Sequence, residues 1–276
     1  MSKPSPLRLR ALVTGASSGI GLAIATQLAA RGCDLVLSAR RQPLLDELAA
    51  TLRAQHPALQ IDVVACDLGR PGGAEALWTA ATAARPVDIL VNNAGFGTFR
   101  AFTTGEWARD AELLQLNLTS LVELCHHFVG AALAGGSGPA YLLNVASIAA
   151  YQSIPNFANY GASKAYVRNF SEALHAELAG TRVRVTCLCP GGTKTPFHEA
   201  AGAGDYGAIA NASMMTAEAV AAVGLAAMFA GKRTVIPGLL NKISCFSVRL
   251  VPRSWASWLS GWVLGRPRAE PLPPRR

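Results

Sequence analysis

Apolar residues fall into two alternating patterns along this chain: short apolar runs, and longer stretches where they recur every three or four positions. Leu9–Val13 is a short, mostly apolar run ending at Thr14-Gly15, which predicts a buried strand. From Gly19 onward Ile20, Leu22, Ala23, Ile24 and Leu28 follow helical spacing until Gly32 stops the pattern. The alternation then repeats. Strands are expected at Asp34–Ser38, Ile61–Ala65, Val87–Val91, Ala140–Val145, Arg182–Leu188 and Thr234–Ile236. Helices are expected over Pro43–Ala54, Gly73–Ala84, Ala111–Leu133, Phe157–Ala179 and Thr216–Phe229. Continuous apolar strands are buried on both faces, so the pattern predicts an α/β fold: a doubly wound, Rossmann-like parallel sheet of about seven strands with helices on each side. Neither a repeat nor a Pro/Ser linker interrupts it before residue 237. The expected organisation is one domain, residues 1–238, followed by a C-terminal extension, 239–276.

Composition narrows the class. Of 276 residues, 51% are hydrophobic and 15% charged, too apolar for a disordered chain and enough to bury a sizeable core. The longest charge-free stretch, Phe128–Ser163, is broken by Gly135-Gly136-Ser137-Gly138-Pro139 and by Pro155, so it is not a spanning helix. No apolar run follows Lys3, Arg8 and Arg10 as a signal peptide would require, and a reducing, cytoplasmic location is expected. The six cysteines are scattered, without metal-ligand spacing, and Cys187 and Cys189 share one strand face. They are expected to be buried thiols, with no disulfide and no metal.

Charge is concentrated at one end. Residues 1–231 hold 16 Lys/Arg and 16 Asp/Glu, whereas residues 232–276 hold nine cations and one acid, Glu270. The net charge of +8 therefore belongs to the tail, and no nucleic-acid-binding motif accompanies it. Within the tail Val251, Trp255, Trp258, Leu259 and Trp262 form one helical stripe flanked by Arg249, Arg253, Arg266 and Arg268, with a Pro-rich end expected to be disordered. Two partners suit such an amphipathic stripe. It packs on its own domain or a partner subunit, or it rests peripherally in a membrane surface.

The strand ends carry the chemistry. Thr14-Gly15-Ala16-Ser17-Ser18-Gly19-Ile20-Gly21 lies at the first strand-to-helix turn, where glycines let backbone approach a pyrophosphate at a helix N-terminus. A plain tight turn is the competing explanation. After the second strand stand Arg40 and Arg41 with no acid in reach, which favours a 2′-phosphate and hence NADP(H) over NAD(H). Solvated arginines capping the next helix are the alternative. Asp67, past the third strand, suits an adenine amino group. Tyr160 and Lys164 are four residues apart on a predicted helix, so both face one way and the ammonium favours the phenolate. A phenol so assisted can act as acid or base near neutrality. Asn92-Asn93-Ala94-Gly95, Ser147, and Pro190-Gly191-Gly192-Thr193-Lys194-Thr195 follow the fourth, fifth and sixth strands, where open α/β sheets bind ligands.

Together these motifs resemble the short-chain dehydrogenase/reductase family in its single-domain form, from about Leu9 to Pro237. The resemblance implies that Tyr160 is the general acid/base and that Lys164 lowers its pKa and holds the nicotinamide ribose. It also implies that Ser147 binds the reacting oxygen and Asn117 supports a proton relay. For the cofactor it implies Gly15, Ser17, Ser18, Gly19, Ile20 and Gly21 at the phosphates, and Asp67 and Leu68 at the adenine. Asn92, Ala94 and Gly95 would lie beside the ribose, Pro190, Gly191, Thr193 and Thr195 at the carboxamide, and Arg40 or Arg41 at the 2′-phosphate. A homodimer or homotetramer is expected from the same resemblance.

The substrate pocket is expected from Phe96, the segment Ala149–Phe157 with Tyr151, and the stretch Phe197–Met215 with Phe197, His198, Tyr206, Met214 and Met215. Ordinary packing is the competing reading of each. The expected activity is NADP(H)-dependent interconversion of a ketone or aldehyde with its alcohol, on a hydrophobic substrate such as an acyl chain or steroid. The rival is a non-catalytic NADP(H) sensor or scaffold with a membrane- or partner-binding tail. An intact Asn117, Ser147, Tyr160 and Lys164 set argues against that rival.

Overall fold

The computed structural model describes residues 8–136, 138–197, 201–202 and 214–263. Seven parallel strands form the central sheet: β1 (Arg10–Thr14), β2 (Asp34–Ala39), β3 (Ile61–Ala65), β4 (Ile89–Asn92), β5 (Ala140–Val145), β6 (Val183–Leu188) and, at the edge, β9 (Thr234–Val235). Their order is β3-β2-β1-β4-β5-β6-β9. Two further strands, β7 (Thr193–Lys194) and β8 (Met215–Thr216), make a small parallel pair of their own. Two-residue strands leave no periodicity, so the sequence does not announce them.

Alternate residues of each strand feed two cores. Ala11, Val13, Leu35, Leu37, Ile89 and Val91 pack against α1 (Gly19–Ala30), α2 (Gln42–Gln55) and α7 (Ala217–Phe229) on one face. Leu12, Val36, Leu90, Leu142 and Val185 pack on the other face against α3 (Gly73–Thr82), α5 (Ser120–Ala134) and α6 (Ala158–Glu177). Both faces are covered, which is why these strands are apolar throughout. Winding reverses between β1 and β4, and the crevice at their carboxyl ends is where such sheets bind ligands.

The expected helix Ala111–Leu133 is instead two helices. α4 (Trp107–Leu114) runs into a π turn, Gln115–Thr119, and the chain continues as α5. Side-chain hydrogen bonds from Asn117, described below, hold this wider turn. Such π turns recur at functional sites.

The tail folds as α8 (Leu239–Ser247) and α9 (Arg253–Val263). Its stripe does not pack on the domain: Trp255, Trp258 and Trp262 are 68%, 71% and 67% exposed, while Ala256 and Ser260 face inward. Periodicity identified the stripe but could not say which side of the helix the domain would take. None of the described helices is long and apolar enough to cross a membrane. Tail residues Arg266 and Arg268 and the Pro-rich end lie outside the described residues.

Candidate active site

The turn from β1 into α1 leaves little room for side chains. Gly15 and Gly19 adopt φ of 65° and 56°, a region most residues avoid. A Cβ on Gly21 would collide with the Gly15 carbonyl oxygen and the Asn93 amide. Ser18 takes the N-cap position of α1 but makes no side-chain capping bond, and no acid stands in the first turn. The first amides of α1 are thus left for an incoming anion, and the half-buried Ser17 and Ile20 complete the loop. These features fit the pyrophosphate of a dinucleotide.

The two arginines differ. The Arg41 guanidinium donates to Ser17 Oγ at 3.2 Å and Ser18 Oγ at 3.4 Å, whereas Arg40 pairs with Glu112 at 3.1 Å. Arg40 also lines a cleft of about 460 Å³ with Ala65, Cys66, Asp67 and Arg70. Asp67 Oδ1 accepts from the Gly69 amide at 3.0 Å, and buried Leu68 receives the Ser120 hydroxyl at its carbonyl.

Strand ends β1 and β4 are laced together. Thr14 Oγ1 donates to Val91 O and accepts the amides of Asn93 and Ala94, each at 3.0 Å, while Asn93 Nδ2 donates to Thr14 O. Thr14 and Asn93 belong to the two motifs quoted above, and these bonds give them the role of joining the strand ends. The Asn92 carboxamide is buried, donating to Asn144 Oδ1 at 3.0 Å and Cys125 Sγ at 3.2 Å, so its backbone is the part left for the segment expected beside a ribose.

Tyr160 and Lys164 are brought together as the spacing required. Lys164 Nζ lies 5.8 Å from the Tyr160 ring centroid and donates to Val145 O at 2.8 Å. Lys164 is 5% exposed, and burial lowers its pKa from 10.5 to about 8. Asn117 donates to Phe96 O and Ser163 Oγ and accepts the Phe96 amide, tying the π turn to the loop after β4 and to α6. A Cβ at Gly95 would stand 3.0 Å from Asn117 Oδ1 and 3.4 Å from Lys164 Nζ, so Gly95, Asn117 and Lys164 share one small space. Ser147, two residues past β5, is half-buried and caps the short helical turn Ile148–Tyr151, its Oγ accepting the Ala149 amide at 3.1 Å.

The loop after β6 meets the phosphate turn. A Cβ at Gly19 would lie 3.0 Å from Thr195 Cγ2, so the two walls of the cleft touch there. Pro190 O accepts from the Ile148 amide at 2.8 Å, and Thr193 Oγ1 donates to Gly191 O at 3.0 Å. Asn241 of α8 packs directly on Gly191.

An aromatic enclosure surrounds Tyr160. Phe157 stacks on it at 4.4 Å between centroids, Phe197 lies at 5.4 Å, and Phe99 meets Phe157 edge-on at 5.6 Å. Ala149, Ile154 and Ala201 close the cluster. Phe99 went unnoticed in the sequence, because it becomes a wall only through its amide bond to Ala201 O. Phe96 sits under Arg109 at 3.8 Å, and Met214 is half-buried. Tyr151 does not join the enclosure. Its ring packs in the opposite core beneath Arg168, 4.3 Å away, and burial raises its pKa. His198 and Tyr206 lie outside the described residues.

All six cysteines are free thiols, with Cys187 and Cys189 sulfurs 3.7 Å apart; burial pushes Cys125 and Cys245 up to about 12, far from a reactive thiolate. Glu75, Glu123 and His127 gather at the contact of α3 and α5 with ligand atoms within 4.8 Å of one another, a cluster the sequence reading did not anticipate.

Comparison with known proteins bears on the family and the fold. The short chain dehydrogenase family model matches residues 10–205. A sulfoacetaldehyde reductase of Chromohalobacter salexigens is 36% identical over 205 residues, 71% of this chain and 77% of that one. A short-chain dehydrogenase from Sphingobium yanoikuyae in complex with NADPH superposes with a TM-score of 0.76 at 29% identity, covering 88% of this chain and 94% of that one. A 7β-hydroxysteroid dehydrogenase structure gives 0.82 at 27% identity, covering 92% and 96%. The family match, the sulfoacetaldehyde reductase relative and the shared fold give one result: the chain belongs to the short-chain dehydrogenase/reductase family of oxidoreductases.

Proposed function

We propose that the protein is an NADP(H)-dependent oxidoreductase that interconverts a hydrophobic ketone or aldehyde with its alcohol. The observation that carries this reading is the buried Lys164 ammonium beside the Tyr160 ring, within an apolar aromatic enclosure. A dinucleotide would be held by the amides and serines of Gly15–Gly21, by Asp67 and Leu68, and by the Pro190–Thr195 loop. Arg41, anchored on Ser17 and Ser18, would reach a 2′-phosphate, and its planar fork suits phosphate oxygens. Arg40 is the weaker candidate because Glu112 already engages it. The bound cofactor supplies the hydride.

The chain's own residues then manage one proton and one oxygen. Ser147 Oγ holds and polarises the substrate oxygen, and Tyr160 exchanges the proton with it. Lys164 places positive charge near the phenol and favours its ionised form. Asn117 ties the Phe96 loop to Ser163, the residue before Lys164 on α6. Phe157, Phe197 and Phe99 exclude water and favour an apolar substituent on the carbonyl, such as an acyl chain or a fused-ring skeleton. The structures of an NADPH complex and of a hydroxysteroid dehydrogenase among the neighbours support both halves of this reading. A panel of aliphatic, cyclic and steroidal ketones, followed by NADPH absorbance with NADH in parallel, tests it. Turnover should appear with apolar ketones and favour NADPH; turnover favouring NADH, or none with any carbonyl, would overturn it.

A further inference from the structure

Helices α8 and α9 are amphipathic in the reverse sense of an ordinary surface helix. Their inward positions are small or polar: Asn241, Cys245, Ala256 and Ser260 are each about 5% exposed or less. Their outward positions are large and apolar. Leu240, Ile243, Phe246, Trp255, Trp258 and Trp262 are between 56% and 71% exposed. Large apolar side chains left exposed on two consecutive helices mark a docking face.

Charge indicates the occupant. Lys242, Arg249 and Arg253 lie on or between these helices, and no carboxylate occurs from residue 219 to residue 269. A second copy docking the same face by a two-fold axis would bring these cations toward one another with no acid to compensate. An anionic lipid surface compensates all three while taking up the indole rings, which favour the headgroup level. We propose that α8 and α9 form a platform that docks the protein on an anionic bilayer surface.

The platform is fixed to the site. Ser260 Oγ donates to Ser153 O at 2.8 Å, and Gly261 packs on Pro155, so α9 is attached to the loop that begins at Ser147. Asn241 Nδ2 donates to Pro237 O at 2.8 Å and covers Gly191 of the loop after β6. The first attachment flanks Ile154 of the aromatic enclosure, and the second sits on the loop after β6. On the reductase reading, docking presents the site to substrates that partition into the bilayer.

The test is flotation of the full chain, saturated with NADPH, with vesicles of phosphatidylcholine alone or mixed with phosphatidylglycerol. Two variants accompany it: W255S/W258S/W262S and K242Q/R249Q/R253Q, all at exposed positions. Wild type should float with the mixed vesicles and shift its tryptophan emission to the blue. Each cation near the surface contributes roughly fivefold, so the triple Gln variant should lose about a hundredfold in affinity. The triple Ser variant should lose binding to the mixed vesicles while keeping its circular dichroism and its sedimentation mass. Wild type that stays unbound, or binding that survives both variants, overturns the proposal. A lower sedimentation mass for the triple Ser variant would also overturn it, by making this face an interface between copies. None of these readouts needs turnover, so their failure leaves the reductase reading standing.

Discussion

Replacing Lys164 by Met should make the protein more stable and inactive at once. The ammonium is buried at 5% exposure, and desolvation lowers its pKa from 10.5 to about 8. That difference corresponds to a penalty on the order of 3 kcal/mol for holding the charged form in the folded chain. Below about pH 8 both folded and unfolded chains carry the proton, and the penalty is present in full. Between about 8 and 10.5 the unfolded chain keeps a proton that the folded one has lost, so stability rises with pH. Above that range the penalty is gone. Methionine has similar length and no charge, but it leaves Val145 O without the 2.8 Å bond it now receives, which costs about 1–2 kcal/mol. A net gain of about 1–2 kcal/mol remains near neutral pH, roughly 2–8 °C in Tm for a chain of this size. Thermal unfolding of the cofactor-free protein, followed by circular dichroism at several pH values, measures it. The variant's advantage should be largest near pH 7 and shrink as pH climbs past about 8, while NADPH-linked turnover is lost. A variant destabilised at neutral pH, or an advantage that does not change with pH, would refute the reasoning.

Other outcomes follow from the cofactor cleft. Arg41→Ala should weaken NADPH binding by roughly 10–100-fold and leave NADH nearly unchanged, because a charge-assisted phosphate contact is worth about 1.5–3 kcal/mol; titration calorimetry with both cofactors measures the ratio. Arg40→Ala should do less, since Glu112 holds that side chain; an equal or larger effect at Arg40 would reverse the assignment. Gly21→Ala should abolish cofactor binding or folding, because its methyl group has no space beside the Gly15 carbonyl, and wild-type affinity would contradict the close approach.

What the sequence revealed, and what it did not, divides along the range of the forces involved. Strand and helix placement was legible because burial on both faces of the sheet leaves unbroken apolar runs such as Leu35-Val36-Leu37. The pairing of Tyr160 with Lys164 was legible because helix geometry fixes neighbours four apart. The π turn at Asn117 was not, since bonds to Phe96 and Ser163, far away in sequence, create it. Arg40 and Arg41 look alike as letters; Glu112, brought in from α4, and the serines of the β1–α1 turn tell them apart. Tyr151 and Asn92 sit in segments that do border the cleft, yet each side chain turns into a core, toward Arg168 and Asn144 respectively. The tryptophan stripe shows the same limit, because a period of 3.6 identifies a face but not what it meets.

The central claim is that Tyr160 delivers the proton. Its most direct test is a single-turnover comparison of wild type and Tyr160→Phe with an apolar ketone and saturating NADPH. Phe keeps the ring contacts to Phe157 and Phe197 and removes only the hydroxyl. NADPH affinity should hold within about twofold while the chemical step slows by roughly 10²–10⁴-fold, the usual worth of a positioned acid. A step that proceeds at the wild-type rate would contradict the account.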